Sequence, residues 1–170
     1  MKKKSTYIVL AIAVLVLVGI GIWKNPAILN SQPILNNESY APTLANIKAT
    51  KDSLKVTRSG QKKLESAFIK TMTSDIFPYW YGTKWDYNGT TQLPNEGKIA
   101  CGYFVTTTLR DAGVPLARVK LAQCASEQMI KSLTTEEFIH RYSNISITAF
   151  DDALNDLGSG LYIVGLDNHT

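Results

Sequence analysis

Histidine and cysteine are scarce in this chain, two of each among 170 residues. A metal centre needs three or more convergent ligands, so two cysteines and two distant histidines fall short of one. There is also no glycine loop of the kind that cradles phosphate, no internal repeat and no low-complexity tract. Nor is there a basic surplus where one would matter. Lys2, Lys3, Lys4 and Lys24 account for the whole formal charge of +4, and residues 25–170 balance 14 Lys and Arg against 14 Asp and Glu. A nucleic-acid reader is expected to carry a basic face, and this balance argues against that class. Within the balance, residues 48–70 are mainly basic and residues 127–170 mainly acidic. That pattern reads as two solvated faces rather than a binding patch.

One apolar run is present. Residues 7–23, YIVLAIAVLVLVGIGIW, carry no charge and are flanked by Lys2, Lys3, Lys4 and Lys24. At about 1.5 Å per residue a helix of this length just approaches the roughly 30 Å of a bilayer core, with Tyr7 and Trp23 suited to the two interfaces. The sequence therefore predicts an N-terminal signal anchor over 1–24, with the N-terminus cytoplasmic and the rest outside a bacterial cell membrane. Secretion after signal cleavage is the alternative. Residues 25–49 contain prolines and asparagines without a sustained period and read as a linker, and 50–170 as one domain.

Within that domain, Leu64, Ala67, Phe68 and Met72 fall at helical spacing, predicting a helix between Thr57 and Ile76 that Pro78 ends. An aromatic, loop-like stretch from Pro78 to Lys98 carries Tyr79, Trp80, Tyr81, Trp85 and Tyr87 among glycines. Such residues wall a cleft or fill a core from one edge. Thr106, Thr107 and Thr108 suit a strand, but Phe104, Val105 and Leu109 share a helical face, and Gly113 with Pro115 forms a stop signal. A helix from Cys101 is expected. Short helices follow at 121–132, 135–142 and 147–157, then a strand at 161–167 after Gly158-Ser159-Gly160.

The chemistry-bearing residue is Cys101, at the mouth of the predicted helix. An ordinary thiol, with a pKa near 8.5, is mostly protonated at neutral pH, and a helix N-terminus supplies only about 0.3–1 kcal/mol toward the thiolate. A neighbouring imidazole is needed. His140 lies in a charged amphipathic stretch, EEFIHRY, that reads as surface helix, whereas His169 follows the strand and is the better base. Cys124 supports a competing reading, a Cys101–Cys124 disulfide stapling a non-catalytic envelope domain that binds cell-wall material or a protein partner through residues 79–87.

The order PYWYG, ACGYFVTTTLRDAGVP and GSGLYIVGLDNHT resembles the NlpC/P60 group of papain-like cysteine peptidases over roughly residues 75–170. Ala100, Gly102 and Tyr103 stand where that group usually has Asp, Ser and Gly. The resemblance implies an α+β fold, helices packed on a small antiparallel sheet. It implies Cys101 as nucleophile, His169 as general base, and Tyr79 bordering the oxyanion site together with the Cys101 backbone N–H. Trp80, Tyr81 and Trp85 are the expected substrate-binding aromatics. No cofactor is implied. The implied substrate is a stem peptide of peptidoglycan or a related amide, with transglutaminase-like or amidase chemistry as a variant. The polar residue that orients the histidine, and further strands, are expected beyond Thr170, which makes the chain a fragment of a longer protein under this reading.

Overall fold

The computed structural model describes residues 8–9, 32–56, 60–158 and 160–166. Two compact units are formed, one from Asn30–Gln123 and one from Met1–Leu29 with Cys124–Thr170.

In the first unit, a 3-10 turn at Asn37–Ser39 leads into helix α1, Tyr40–Val56, after the Asn36 side chain accepts from the Glu38 N–H. Residues 40–49 were expected within a linker. Their local composition reads that way, but Tyr40 and Ile47 are buried, and burial against the rest of the unit orders the helix regardless of local signals.

Helix α2, Gln61–Lys70, does not stop before Pro78 as expected. It widens into a π-helical stretch, Thr71–Ile76, and continues as α3, Phe77–Trp80. The Phe77 N–H reaches back to the Met72 carbonyl, and Pro78 falls in the first turn of α3, where a missing N–H removes no required hydrogen bond. The widened path buries Met72 and Ile76.

Strands β2, Lys84–Trp85, and β3, Lys98–Ile99, pair in parallel with Trp85 opposite Ile99. The loop between them folds back, so that Thr90 bridges Ile99 antiparallel. Helix α4, Cys101–Asp111, forms as expected. Its three threonines are fully buried, and each hydroxyl donates to the carbonyl four residues earlier. Strand-favouring side chains thus become helix-compatible, because the helix itself satisfies their polar atoms. At the far end Gly113, with φ +86°, donates to the Arg110 carbonyl, and Val114 donates to that of Leu109. This double closure is the glycine stop expected from the sequence. Helix α5, Arg118–Ala122, packs against α4.

The second unit contains α6, Ser126–Leu133, a 3-10 turn at Glu136–Phe138, and α7, Ile147–Leu157. Ser146 caps α7, its hydroxyl accepting from the Ala149 N–H. Of the strand expected at 161–167, only β4, Gly165–Leu166, is paired among the described residues. Its partner is β1, Ile8–Val9, in antiparallel register.

The expected α+β architecture is therefore overturned. The described residues are predominantly helical, and the sheet beside Cys101 is a two-residue parallel pair rather than an antiparallel one. Gly82, Gly89, Pro94 and Gly97 interrupt the aromatic stretch too often for longer strands to propagate. The expected N-terminal transmembrane helix, over residues 7–23, falls almost wholly outside the described residues. No helix among the described residues is long and apolar enough to cross a membrane, and Ile8 and Val9 are extended, hydrogen-bonded sideways to β4 rather than along a helix.

Gly102 fixes the approach of α5 to α4. A Cβ there would run into the Ala122 carbonyl, which is backbone and cannot swing aside. Gly102→Ala is expected to destabilise the chain by about 2 kcal/mol, seen as a lower urea midpoint with an unchanged slope; a wild-type midpoint would show that the helices separate without cost.

Candidate active site at Cys101

Cys101 opens α4, with Ala100 as an extended N-cap that offers no side-chain acceptor. The N–H groups of a helix's first turn lack intrahelical partners, so the sulfur sits at the positive end of an 11-residue helix. Cys101 is half-buried and carries a thiol, so the structure does not contain the Cys101–Cys124 staple of the competing reading.

The strand register decides what else reaches the sulfur. β3 runs through Ala100 into Cys101, and β2 lies beside β3 with Trp85 opposite Ile99. That alignment carries the indole past the end of the sheet, where Trp85 Nε1–H donates to Cys101 Sγ at 3.3 Å. Trp85 is otherwise 59% exposed, so its place over the thiol is not set by core packing.

The other aromatic candidates have different surroundings. Tyr79 is buried, its hydroxyl 2.7 Å from Ser39 Oγ and 3.1 Å from Thr43 Oγ1. Trp80 is buried too, and its indole N–H donates to the Tyr40 hydroxyl at 3.0 Å. Tyr40 in turn donates to Asp111 Oδ2 at 2.7 Å. Burial first, and the Asp111 carboxylate second, push the Tyr40 phenol well above its ordinary value, so it stays a neutral donor. Tyr81 is half-buried just past α3. His140 is exposed in the second unit, and His169 lies outside the described residues. Among the expected site residues, the structure joins Trp85 to Cys101 by a direct hydrogen bond.

Sequence reasoning missed Arg118. Its Nε donates to Thr107 Oγ1 at 2.7 Å, while Nη2 donates to the carbonyls of Thr90 at 2.9 Å and Thr91 at 2.7 Å. The guanidinium also lies 4.8 Å from the centroid of the Tyr103 ring. One planar cation thereby joins α4 and α5 to the loop between β2 and β3. Its only signal was an arginine, with Lys120 two residues on, set among the apolar residues of LARVKLA. Asn95 was missed as well. It adopts φ +58° and donates from Nδ2 to the Tyr79 carbonyl at 2.8 Å, and the turn-forming run PNEG was its signal.

The same loop borders a shallow, open hollow of about 370 Å³, lined by Asp86, Asn88, Thr90, Thr91, Glu96 and Lys98 among others. Lys98 Nζ is 2.7 Å from Asp86 Oδ2. The hydrogen bond from Lys98, with a second from the Asn88 N–H, holds the Asp86 carboxyl below its ordinary range. The folded value is the lower one, so this clasp favours the folded loop above the ordinary carboxylate range and is lost as pH falls through the lowered value.

Comparison with protein-family models, with curated proteins and with solved structures finds no match.

The geometry offers a sulfur at the N-terminal end of a helix with an indole N–H donor directly on it. Loss of the Arg118 clamp should loosen the loop that positions that donor. Arg118→Ala is expected to lower stability by about 2 kcal/mol and to raise cleavage within 86–97 in limited proteolysis; unchanged stability and an unchanged cleavage map would refute the clamp.

Proposed function

We propose that the chain is a cysteine hydrolase acting on peptide or amide bonds of bacterial cell-wall peptidoglycan, with Cys101 as nucleophile and His169 as general base. The observation that carries this reading is the Trp85 N–H on Cys101 Sγ at the head of α4. The order of the PYWYG, ACGYFV and DNH segments supports it, and so does a soft, half-buried thiol beside an exposed aromatic.

In the proposed reaction His169 takes the Cys101 proton, and the thiolate attacks the carbonyl carbon. As the S–C bond forms, the C=O electron pair moves onto oxygen. The pair returns to expel the amine, which leaves with the proton from the imidazolium, and water then hydrolyses the thioester with His169 again as base. The lysine-flanked apolar run at 7–23 supports export, and we place the activity outside the cell membrane, where the substrate is found. A stem peptide presents amide bonds to an aromatic rim, as this reading requires.

Cys101→Ala in the full chain is expected to lower turnover of purified muropeptides by roughly a thousandfold or more, followed as release of the new amine by mass spectrometry, with an unchanged circular dichroism spectrum and melting temperature. Undiminished turnover in the folded variant would dismiss Cys101 as the nucleophile.

A further inference from the structure

The resemblance gives the side-chain donor at the oxyanion site to Tyr79, but the Tyr79 hydroxyl is engaged with Ser39 and Thr43 on the first unit's N-terminal segment. A different donor lies at the reacting atom. We propose that Trp85 is a catalytic residue of this site, its indole N–H being the side-chain donor that receives the oxyanion when an acyl group bonds to Cys101; this rests on the hydrolase reading above.

Three observations lead there. Trp85 Nε1–H already donates to Cys101 Sγ at 3.3 Å, and the oxygen of an acyl group attached to that sulfur is only two bonds away from it. A donor that touches the sulfur before attack can therefore reach the oxygen with little movement, toward the roughly 2.7–3.1 Å such donors need. The indole nitrogen is a donor with no acceptor capacity. It cannot take a proton from the thiol or compete with the base, so its chemical use at this position is to bind negative charge. Finally, the indole is aimed by backbone. Trp85 stands opposite Ile99 in the β2–β3 pair, and the adjoining loop is tied down through the Thr90 and Thr91 carbonyls by Arg118. The Ala100 N–H also bonds to the Gly89 carbonyl at 2.9 Å, so the loop that follows Trp85 is fastened to the residue that precedes the nucleophile.

The step balances without any added reactant. Charge moves from sulfur to the carbonyl oxygen as the S–C bond forms, and the donor shifts from one to the other. The second donor is the Cys101 backbone N–H at the start of α4. When the amine departs with the proton from the general acid, the oxyanion collapses to a thioester carbonyl and the N–H is left with a weaker acceptor. Trp85 thus binds most strongly in the transition state, which is the condition for accelerating the chemical step.

The test compares two reactions of the same sulfur in the full chain. Iodoacetamide alkylates a thiolate by displacement at a saturated carbon and forms no oxyanion, whereas 4-nitrophenyl acetate acylates it through one. Trp85→Phe replaces the indole by a smaller aromatic ring without an N–H, and with the indole exposed the variant is expected to fold, as its melting temperature checks. The expected result is a fall of about a hundredfold in the ratio of acylation to alkylation rate constants, with Tyr79→Phe leaving that ratio unchanged. An unaltered ratio in Trp85→Phe overturns the proposal. Equal slowing of both reactions also overturns it, since that is the mark of altered access to the sulfur. A fall confined to Tyr79→Phe returns the role to Tyr79. If the wild-type chain releases no more nitrophenolate than Cys101→Ala, the hydrolase reading itself fails and the assignment of Trp85 falls with it.

Discussion

One guanidinium, that of Arg118, joins three separate segments around the site. Arg118 opens a helix of only five residues, too short to be stable alone, yet it donates hydrogen bonds to a buried threonine in the middle of α4 and to two carbonyls in the loop between β2 and β3. Partial burial, with the repulsion of Arg110 second, lowers the Arg118 pKa, but the side chain remains far above neutrality and stays charged. The two-residue ladder of β2 and β3 is too short to persist by itself. The cation shares the task of tying the loop to the helices with Arg110, which reaches Gln92 at 2.7 Å, and with Asn95, which donates to the Tyr79 carbonyl at 2.8 Å; the loop borders the hollow and follows the strand that carries the indole at Cys101.

The aromatic motif takes the complementary role of scaffold. Trp80 donates to Tyr40, Tyr40 donates to Asp111, and Arg110 joins Asp111 at 2.8 Å while reaching Gln92 at 2.7 Å. The Asp111 side chain is 4% exposed. A carboxylate that deep is costly unless each lone pair has a donor, and here phenol and guanidinium supply them from opposite sides. The chain of bonds runs from α3 through the start of α1 to the end of α4. It anchors the far end of the helix that carries Cys101, so Trp80 of PYWYG, through Tyr40, bears on the helix of the nucleophile rather than on the nucleophile itself.

How far the sequence was legible depends on the range of the interaction. The helix at 101–111 could be read because its signals are local, an apolar face and a Gly113-Pro115 stop, and the threonines that argued for a strand found acceptors one turn back. The first helix could not be placed, since Tyr40 looks like a linker residue until Trp80 and Asp111 close around it. Pro78 misled because a π-helical widening absorbs it, and no short-range pattern announces one. At the site, Cys101 and Trp85 were legible as residue types of the right chemistry. Their contact depends on a strand register, and the Arg118 clamp on carbonyls 27 and 28 residues away. Carbonyls belong to every residue and leave no mark in a sequence.

The exposure of Trp85 bears on how such a donor can serve the proposed reaction. An indole that is 59% exposed shares its surroundings with water, and in water a hydrogen bond to a charged atom is weakened by screening and competition. A bound acyl chain laid across the indole would displace that water and lower the local dielectric at the moment the oxyanion forms. The same N–H then interacts more strongly with the transition state than with the resting sulfur. A buried hydroxyl such as that of Tyr79, already engaged with the hydroxyls of Ser39 and Thr43, has no comparable change to undergo. The exposed donor therefore links charge stabilisation to substrate occupancy, and a substrate that fails to cover Trp85 forgoes part of the rate.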